Sequence, residues 1–208
     1  MKIVECRVIR PKDRGSVVLA TAEILFDNGI RVANMHLLKP REGQDENQLR
    51  MPFVRTKSGT VLNPFNPSTQ ETRNAMHKAV EETLAEAVEA QVNDYTKTFE
   101  KMEEFRMPEF SRLKLHKFPE NNIPVKAMVS VTVDGELRLN RMAVIKRRDP
   151  SVYVVQLPTY SMQGGRRTAR YFRFPAGPYE ALYQLVTDAY FKGAEETEAA
   201  PDGGQETA

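Results

Sequence analysis

The sequence predicts an α+β fold: two repeated units, each a set of antiparallel strands followed by a C-terminal helix, joined by a long helix as an intrachain pseudo-dimer. Three observations carry this. Residues 19–39 (LATAEILFDNGIRVANMHLLK) lie over residues 126–146 (KAMVSVTVDGELRLNRMAVIK) without a gap, at an offset of 107 positions. Ala20, Asp27, Arg31, Met35 and Lys39 recur as Ala127, Asp134, Arg138, Met142 and Lys146, and Ile24, Ile30, Val32, Leu37 and Leu38 recur as other aliphatic residues. Each block then leads to a second strand pair with a glycine turn and on to an amphipathic helix. The 208 residues accommodate two units of roughly 85–90 residues. Units of that size bury a modest share of their surface alone and gain by packing on each other.

The first unit spans residues 1–90. Residues 2–10 read as a strand, Lys12, Asp13, Arg14 and Gly15 as a turn, and residues 17–26 as a second strand. Asp27, Asn28 and Gly29 form a short hairpin signal before a strand over 30–38. After a polar loop at 40–48, residues 49–56 pair with 60–65 across Lys57, Ser58 and Gly59. Ser68 followed by Glu71 has capping-box spacing, each side chain satisfying an orphan backbone N–H of the other. Met76, Val80, Leu84, Val88, Val92, Tyr95, Phe99 and Met102 continue in steps of three and four, so the spacing carries the helix to about Arg106. Residues 91–108 are thus expected to be a helical linker, stopped by Met107 and Pro108. The first half of its apolar stripe covers its own sheet. The second half is expected to pack between repeats or to dock a protein partner.

The second unit, residues 109–192, repeats the order. Strands are expected over 112–117, 124–133, 137–146 and 152–157, with Asp134 and Gly135 at the hairpin turn. Gly164 and Gly165 turn the chain into a strand over 166–174. A helix over 178–192 places Tyr179, Leu182, Tyr183, Val186, Ala189 and Tyr190 on one face, and Gly193 stops it. Residues 193–208, rich in Ala, Glu and Gly without periodicity, are expected to be a disordered acidic tail.

A net charge of +2 conceals segregation. Residues 1–68 carry 11 Lys/Arg against 7 Asp/Glu, 69–108 carry 5 against 9, 109–192 carry 14 against 7, and 193–208 carry none against 5. A basic second unit attracts polyanions, although such a face is often only solvated surface. No apolar run is long enough to span a bilayer and no signal peptide is evident, so no membrane partner is expected. Cys6 is the sole cysteine; with three scattered histidines it offers neither a disulfide nor a thiolate zinc site. No metal or cofactor is expected, and a reducing cytoplasm fits.

The first unit carries the motifs of a known family over residues 1 to about 84. Glu5, Cys6, Arg7 and Val8 match the opening V-x-R-type strand. Met51, Pro52, Phe53, Val54, Arg55 and Thr56 match the M-P-S-x-R-T segment, with Phe53 for the family serine and Gly59 at the expected turn. Pro67 stands where the family has H-P before its helix; Thr72, Arg73, Ala79 and Val80 fit the helix pattern. In the second unit Leu157 and Pro158 stand for Met51 and Pro52, and Gly165 for Gly59. Ser161 replaces the arginine, and Pro175 arrives two residues late. In these residues the first unit resembles the SpoVG family of bacterial septation and sporulation regulators. The resemblance implies a twisted antiparallel sheet with a C-terminal helix, dimerisation, and a role in cell division, sporulation or gene expression through DNA or RNA binding.

Catalysis has little support in the residues. There is no phosphate loop, no G-x-S-x-G elbow and no H-E-x-x-H. His36, His77 and His116 have no recurring nucleophile beside them. Glu81/Glu82 and Glu103/Glu104 are adjacent helical positions about 100° apart, a solvated face rather than a catalytic pair. The basic residues are better candidates: Arg55 and Lys57 at a hairpin tip, Arg73 and Lys78 in the first turns of the helix, and Lys146, Arg147 and Arg148 ending a strand. Arg166, Arg167, Arg170 and Arg173 share a strand with Tyr171 and Phe172. Alternation sets Arg167, Tyr171 and Arg173 on one face and Arg166, Arg170 and Phe172 on the other. Arginines beside rings suit phosphate contact with base stacking. The competing reading pairs these arginines with the acidic linking helix or keeps an edge strand soluble. The expected protein is therefore a non-enzymatic regulator binding DNA or RNA, as a monomeric pseudo-dimer or homodimer. The alternative is a scaffolding module that docks a division or regulatory protein.

Overall fold

The structure, a computed structural model, describes residues 1–13, 15–56, 59–119, 123–148, 152–162 and 167–192. Strands β1 (Ile3–Ile9), β2 (Val18–Phe26) and β3 (Arg31–Leu38) are followed by four short ones. These are β4 (Gln48–Arg50), β5 (Val54–Arg55), β6 (Val61–Leu62) and β7 (Phe65–Pro67). Helix α1 (Gln70–Glu89) and β8 (Asp94–Thr98) come next, then β9 (Phe110–Lys117), β10 (Val125–Val133) and β11 (Leu137–Lys146). The chain closes with β12 (Tyr153–Gln156), β13 (Thr159–Ser161), β14 (Thr168–Arg170), β15 (Phe172–Arg173) and α2 (Ala176–Lys192). The fold is α+β, with antiparallel pairing throughout.

Of the two large sheets, one runs β15-β3-β2-β1-β8 with β4 also on β3, and the other runs β12-β11-β10-β9 with β7 also on β11; β5-β6 and β13-β14 form two-stranded sheets of their own. Each half of the chain thus lends one short strand to the sheet built mainly by the other half. Phe65 of β7 faces Leu139 and Phe172 of β15 faces Val32, two pairs related by the same 107 positions. Flanking bonds obey the offset too: Asn140 N–H donates to Pro64 O at 2.7 Å, and Ala33 N–H to Tyr171 O at 2.8 Å. The core is continuous across both sheets and both helices, with Phe26, Phe65, Phe172, Met76 and Leu182 among its fully buried side chains.

The aligned hairpins match in backbone detail. β2 and β10 share one burial pattern along nine residues. Irregularities in pairing fall between Val18/Ala20 and Ala22/Ile24 in one hairpin and between Val125/Ala127 and Val129/Val131 in the other. Asn34 and Arg141, again 107 apart, both take left-handed backbone, at φ 65° and 62°. Between the two hairpin turns sits Arg106. Its guanidinium reaches Asp27 Oδ2 at 2.9 Å and Asp134 Oδ2 at 2.8 Å, carboxylates that are themselves corresponding residues.

Several expectations are corrected. The helix does not reach Arg106. It ends at Glu89, where Gln91 turns left-handed (φ 56°) and Val92 N–H donates back to Ala87 O at 3.0 Å. Residues 94–98 instead extend along β1, where an alternating D-Y-T-K-T segment satisfies the backbone groups of an otherwise open edge. Tyr95 and Lys97 face α1 and bond Glu86 and Glu82 at 3.1 and 3.0 Å, so every second residue mimics part of a helical stripe. The cap is Thr69, not Ser68: its hydroxyl accepts from Thr72 N–H at 3.1 Å. Ser68 N–H is used in the other sheet, on Glu136 O. The strand expected over 166–174 breaks at Tyr171: β14 pairs with β13 while β15 joins β3. The turn at Gly164 and Gly165 and the tail 193–208 lie outside the described residues.

Candidate nucleic-acid interface

The end of β11 and the β12–β13 segment form the main gathering of candidate residues. A cleft of about 620 Å³ is lined by Arg147 and Arg170 together with Val155, Thr159, Phe174 and Tyr179. Beside it, Lys146, Arg147 and Arg148 line a shallow depression with Pro124 and Val152. A third cavity, of about 250 Å³, shares Gln156, Leu157 and Thr159 with the cleft and is closed by Val54 of the first unit. Exposed Arg55 is therefore carried by a strand that reaches this same region. Arg148, Arg167 and Arg170 are exposed, and the Lys146 ammonium lies 5.9 Å from the Tyr153 ring.

Other candidates are placed elsewhere or engaged. Lys78 is on α1, its ammonium 3.9 Å from Glu82, and Arg73 is half-buried in the first turn of that helix. Arg173 lies on the first unit's sheet, bonded to Glu23 Oε2 at 3.0 Å. Lys57 and Arg166 lie outside the described residues. The rings chosen for stacking are not available. Tyr171 is 5% and Phe172 0% exposed, the first packed on Tyr160 and the second on Phe174. Alternation failed because the chain changes sheets between them, turning both rings into the core. Of the strand arginines, Arg173 is paired with a carboxylate of β2, not with a helix.

Sequence inspection missed Arg112, Arg138 and Arg141, and the 107-residue offset could have found them. Arg31 bonds Glu5 and Glu23, each at 2.9 Å. At the corresponding positions Arg138 has Arg112 and Ser130: it donates to the Arg112 carbonyl at 2.7 Å and to Ser130 Oγ at 2.5 Å. Burial, reinforced by the Arg112 charge, holds the Arg138 guanidinium below its ordinary pKa. Two acidic partners in the first unit have become one basic and one neutral in the second. Arg138 therefore lacks the carboxylate partners that Arg31 has.

His36 is held below the ordinary histidine range by burial and by Arg50, and burial pushes the Cys6 thiol up to about 11. Among the described residues, no three His, Cys, Asp or Glu side chains group as metal ligands, and no helix is long and apolar enough to cross a membrane.

Among curated proteins, the SpoVG septation protein of Caldanaerobacter subterraneus subsp. tengcongensis is 33% identical over 93 residues. The match covers 45% of this chain and 98% of the relative. No family model matches the chain. No solved structure matches it.

Proposed function

Because the chain belongs to the SpoVG family, we propose that it is a non-enzymatic regulator of septation, sporulation or gene expression that binds DNA or RNA in the cytoplasm. In this reading it is a tandem duplication folded as an intrachain pseudo-dimer. The reciprocal exchange of β7 and β15 supports that, since two bound chains would make such contacts twice and here one chain makes both. The boundary between units then falls after β8 rather than at residue 90.

The observation that carries the binding reading is the convergence of Arg147 and Arg170 on one cleft, with Lys146 and Arg148 on its rim. Exposed guanidinium groups along a groove suit a phosphate backbone, and neutralised phosphates release counterions. Binding of a labelled mixed-sequence oligonucleotide, as single-stranded DNA and as RNA, tests it across a salt series. Changing Arg147, Arg148, Arg167 and Arg170 to Gln should flatten log K against log[salt] by roughly 3 units on these single strands. Arg173→Gln should change the slope by well under one unit, because its charge is already met by Glu23. An unchanged slope in the fourfold variant would overturn this interface and favour the protein-docking alternative.

A further inference from the structure

We propose that the cavity between the first unit's β5 and the second unit's β11–β13 is a binding site for a phosphate group, with Arg141 as its anchoring residue. Arg141 is unexpected at its position in two independent ways. Its Nη1 is buried and has no hydrogen-bond partner among the described residues. A buried polar group left unpaired is costly, and in a native structure it calls for a reason. Its backbone is also left-handed, at φ 62°, in an irregular stretch of β11. The corresponding position in the first unit holds Asn34 at φ 65°, a short residue that tolerates this conformation far better than arginine does. Folding alone would select asparagine twice.

The surroundings identify the ligand chemistry. The cavity, about 250 Å³, is lined by Arg141, Gln156, Thr159 and Tyr171, residues that carry a guanidinium, an amide, a hydroxyl and a phenol. Among the described residues no carboxylate lines it, and Val54, Ala143, Leu157 and Pro158 supply apolar walls that strengthen an ionic contact. Burial, opposed by the Arg141 charge, raises the Tyr171 phenol, which therefore stays protonated as a donor. Several donors around one cation suit an oxyanion with three acceptor oxygens. The site adjoins the cleft, sharing Gln156, Leu157 and Thr159 with it, but its cation is Arg141 and none of the exposed cleft arginines lines it, so substitutions separate the two readings.

The test compares the full chain with Arg141→Asn, the residue that the first unit uses. Melting is followed with inorganic phosphate or with chloride at equal ionic strength. Phosphate at about ten times its Kd should raise the parent Tm by roughly 3–6 °C over chloride, and Arg141→Asn should lose that response. Without phosphate the variant should melt at or above the parent, since strain and an unpaired group are relieved together. An equal phosphate response in both proteins, or a variant that melts well below the parent in chloride, would overturn the site. The fourfold glutamine variant of the cleft should keep the phosphate response; its loss there would mean that phosphate binds the cleft and not Arg141. If an oligonucleotide abolishes the Arg141-dependent response, the group bound is a backbone phosphate; if not, it belongs to a small phosphorylated molecule.

Discussion

Arg106→Met should destabilise the protein by about 2–3 kcal/mol at neutral pH, through the two carboxylates it leaves behind. The guanidinium makes four contacts, at 2.9 and 3.3 Å to Asp27 and 3.1 and 2.8 Å to Asp134. Breaking a buried ion pair costs about 3–5 kcal/mol, and an exposed one contributes about 1 or less. Asp27 and Asp134 side chains are 12% and 9% exposed but Arg106 is 41% exposed, which sets the expectation between those limits. Burial alone would raise Asp134, yet Arg106, the Glu109 N–H and the Asn28 amide outweigh it and hold the carboxyl below its ordinary range. The sign of the pH dependence follows. A carboxyl depressed in the folded state contributes stability above its unfolded pKa and loses it as pH falls through the folded value. Without Arg106 the buried Asp134 carboxyl loses the guanidinium that holds it down and shifts upward, so the variant regains relative stability on acidification. Urea unfolding from about pH 7 to pH 4 should therefore show the gap between parent and variant narrowing. Asp27→Asn should rescue part of the loss in the variant while destabilising the parent. A gap below about 0.5 kcal/mol, or one independent of pH, would refute a structural role for this bridge.

The exchanged strands and the helix cap give further expectations. Phe65→Ala and Phe172→Ala, both fully buried at corresponding places, should each cost about 3–5 kcal/mol by chemical denaturation. Costs differing by more than about 2 kcal/mol would show that the two exchanges are not equivalent in energy. Thr69→Ala should cost about 1 kcal/mol in the same assay, and Ser68→Ala a few tenths, since only Thr69 caps α1; the reverse order would restore Ser68 as the cap.

The strands were legible because their signals are local. Asp27–Gly29 and Asp134–Gly135 mark hairpins, and alternation over β2 and β10 sets which side chains face inward. What sequence could not supply was the choice among non-local partners. The stripe from Val88 to Phe99 fits a helix and, at Tyr95, Lys97 and Phe99, equally an alternating strand. The open edge of β1, some 85 residues earlier in the chain, decides between them. The site was half legible for the same reason. Arg147, Arg148, Arg167 and Arg170 are exposed as expected, whereas Tyr171 and Phe172 are core because the strand carrying them crosses to the other sheet.

The proposed pseudo-dimer would also account for the uneven distribution of charge. In a symmetric pair of identical chains every substitution appears twice, so a new charge repels or binds on both halves. Within one chain the halves vary independently. Glu5 and Glu23 stay with Arg31, and Glu23 also meets Arg173, leaving the first sheet neutralised. At the corresponding positions Arg112 and Ser130 surround Arg138, and Arg141 replaces Asn34. The backbone irregularities beneath these positions coincide, so the scaffold is shared and the difference is one of charge. A polyanion approaching such a molecule meets one attractive half, where a symmetric dimer would present two. One strand would then bind in one orientation. The same asymmetry explains why the candidate interface could not be read from the family motif at Arg55 alone: most of its charge lies in the unit that departs furthest from that motif.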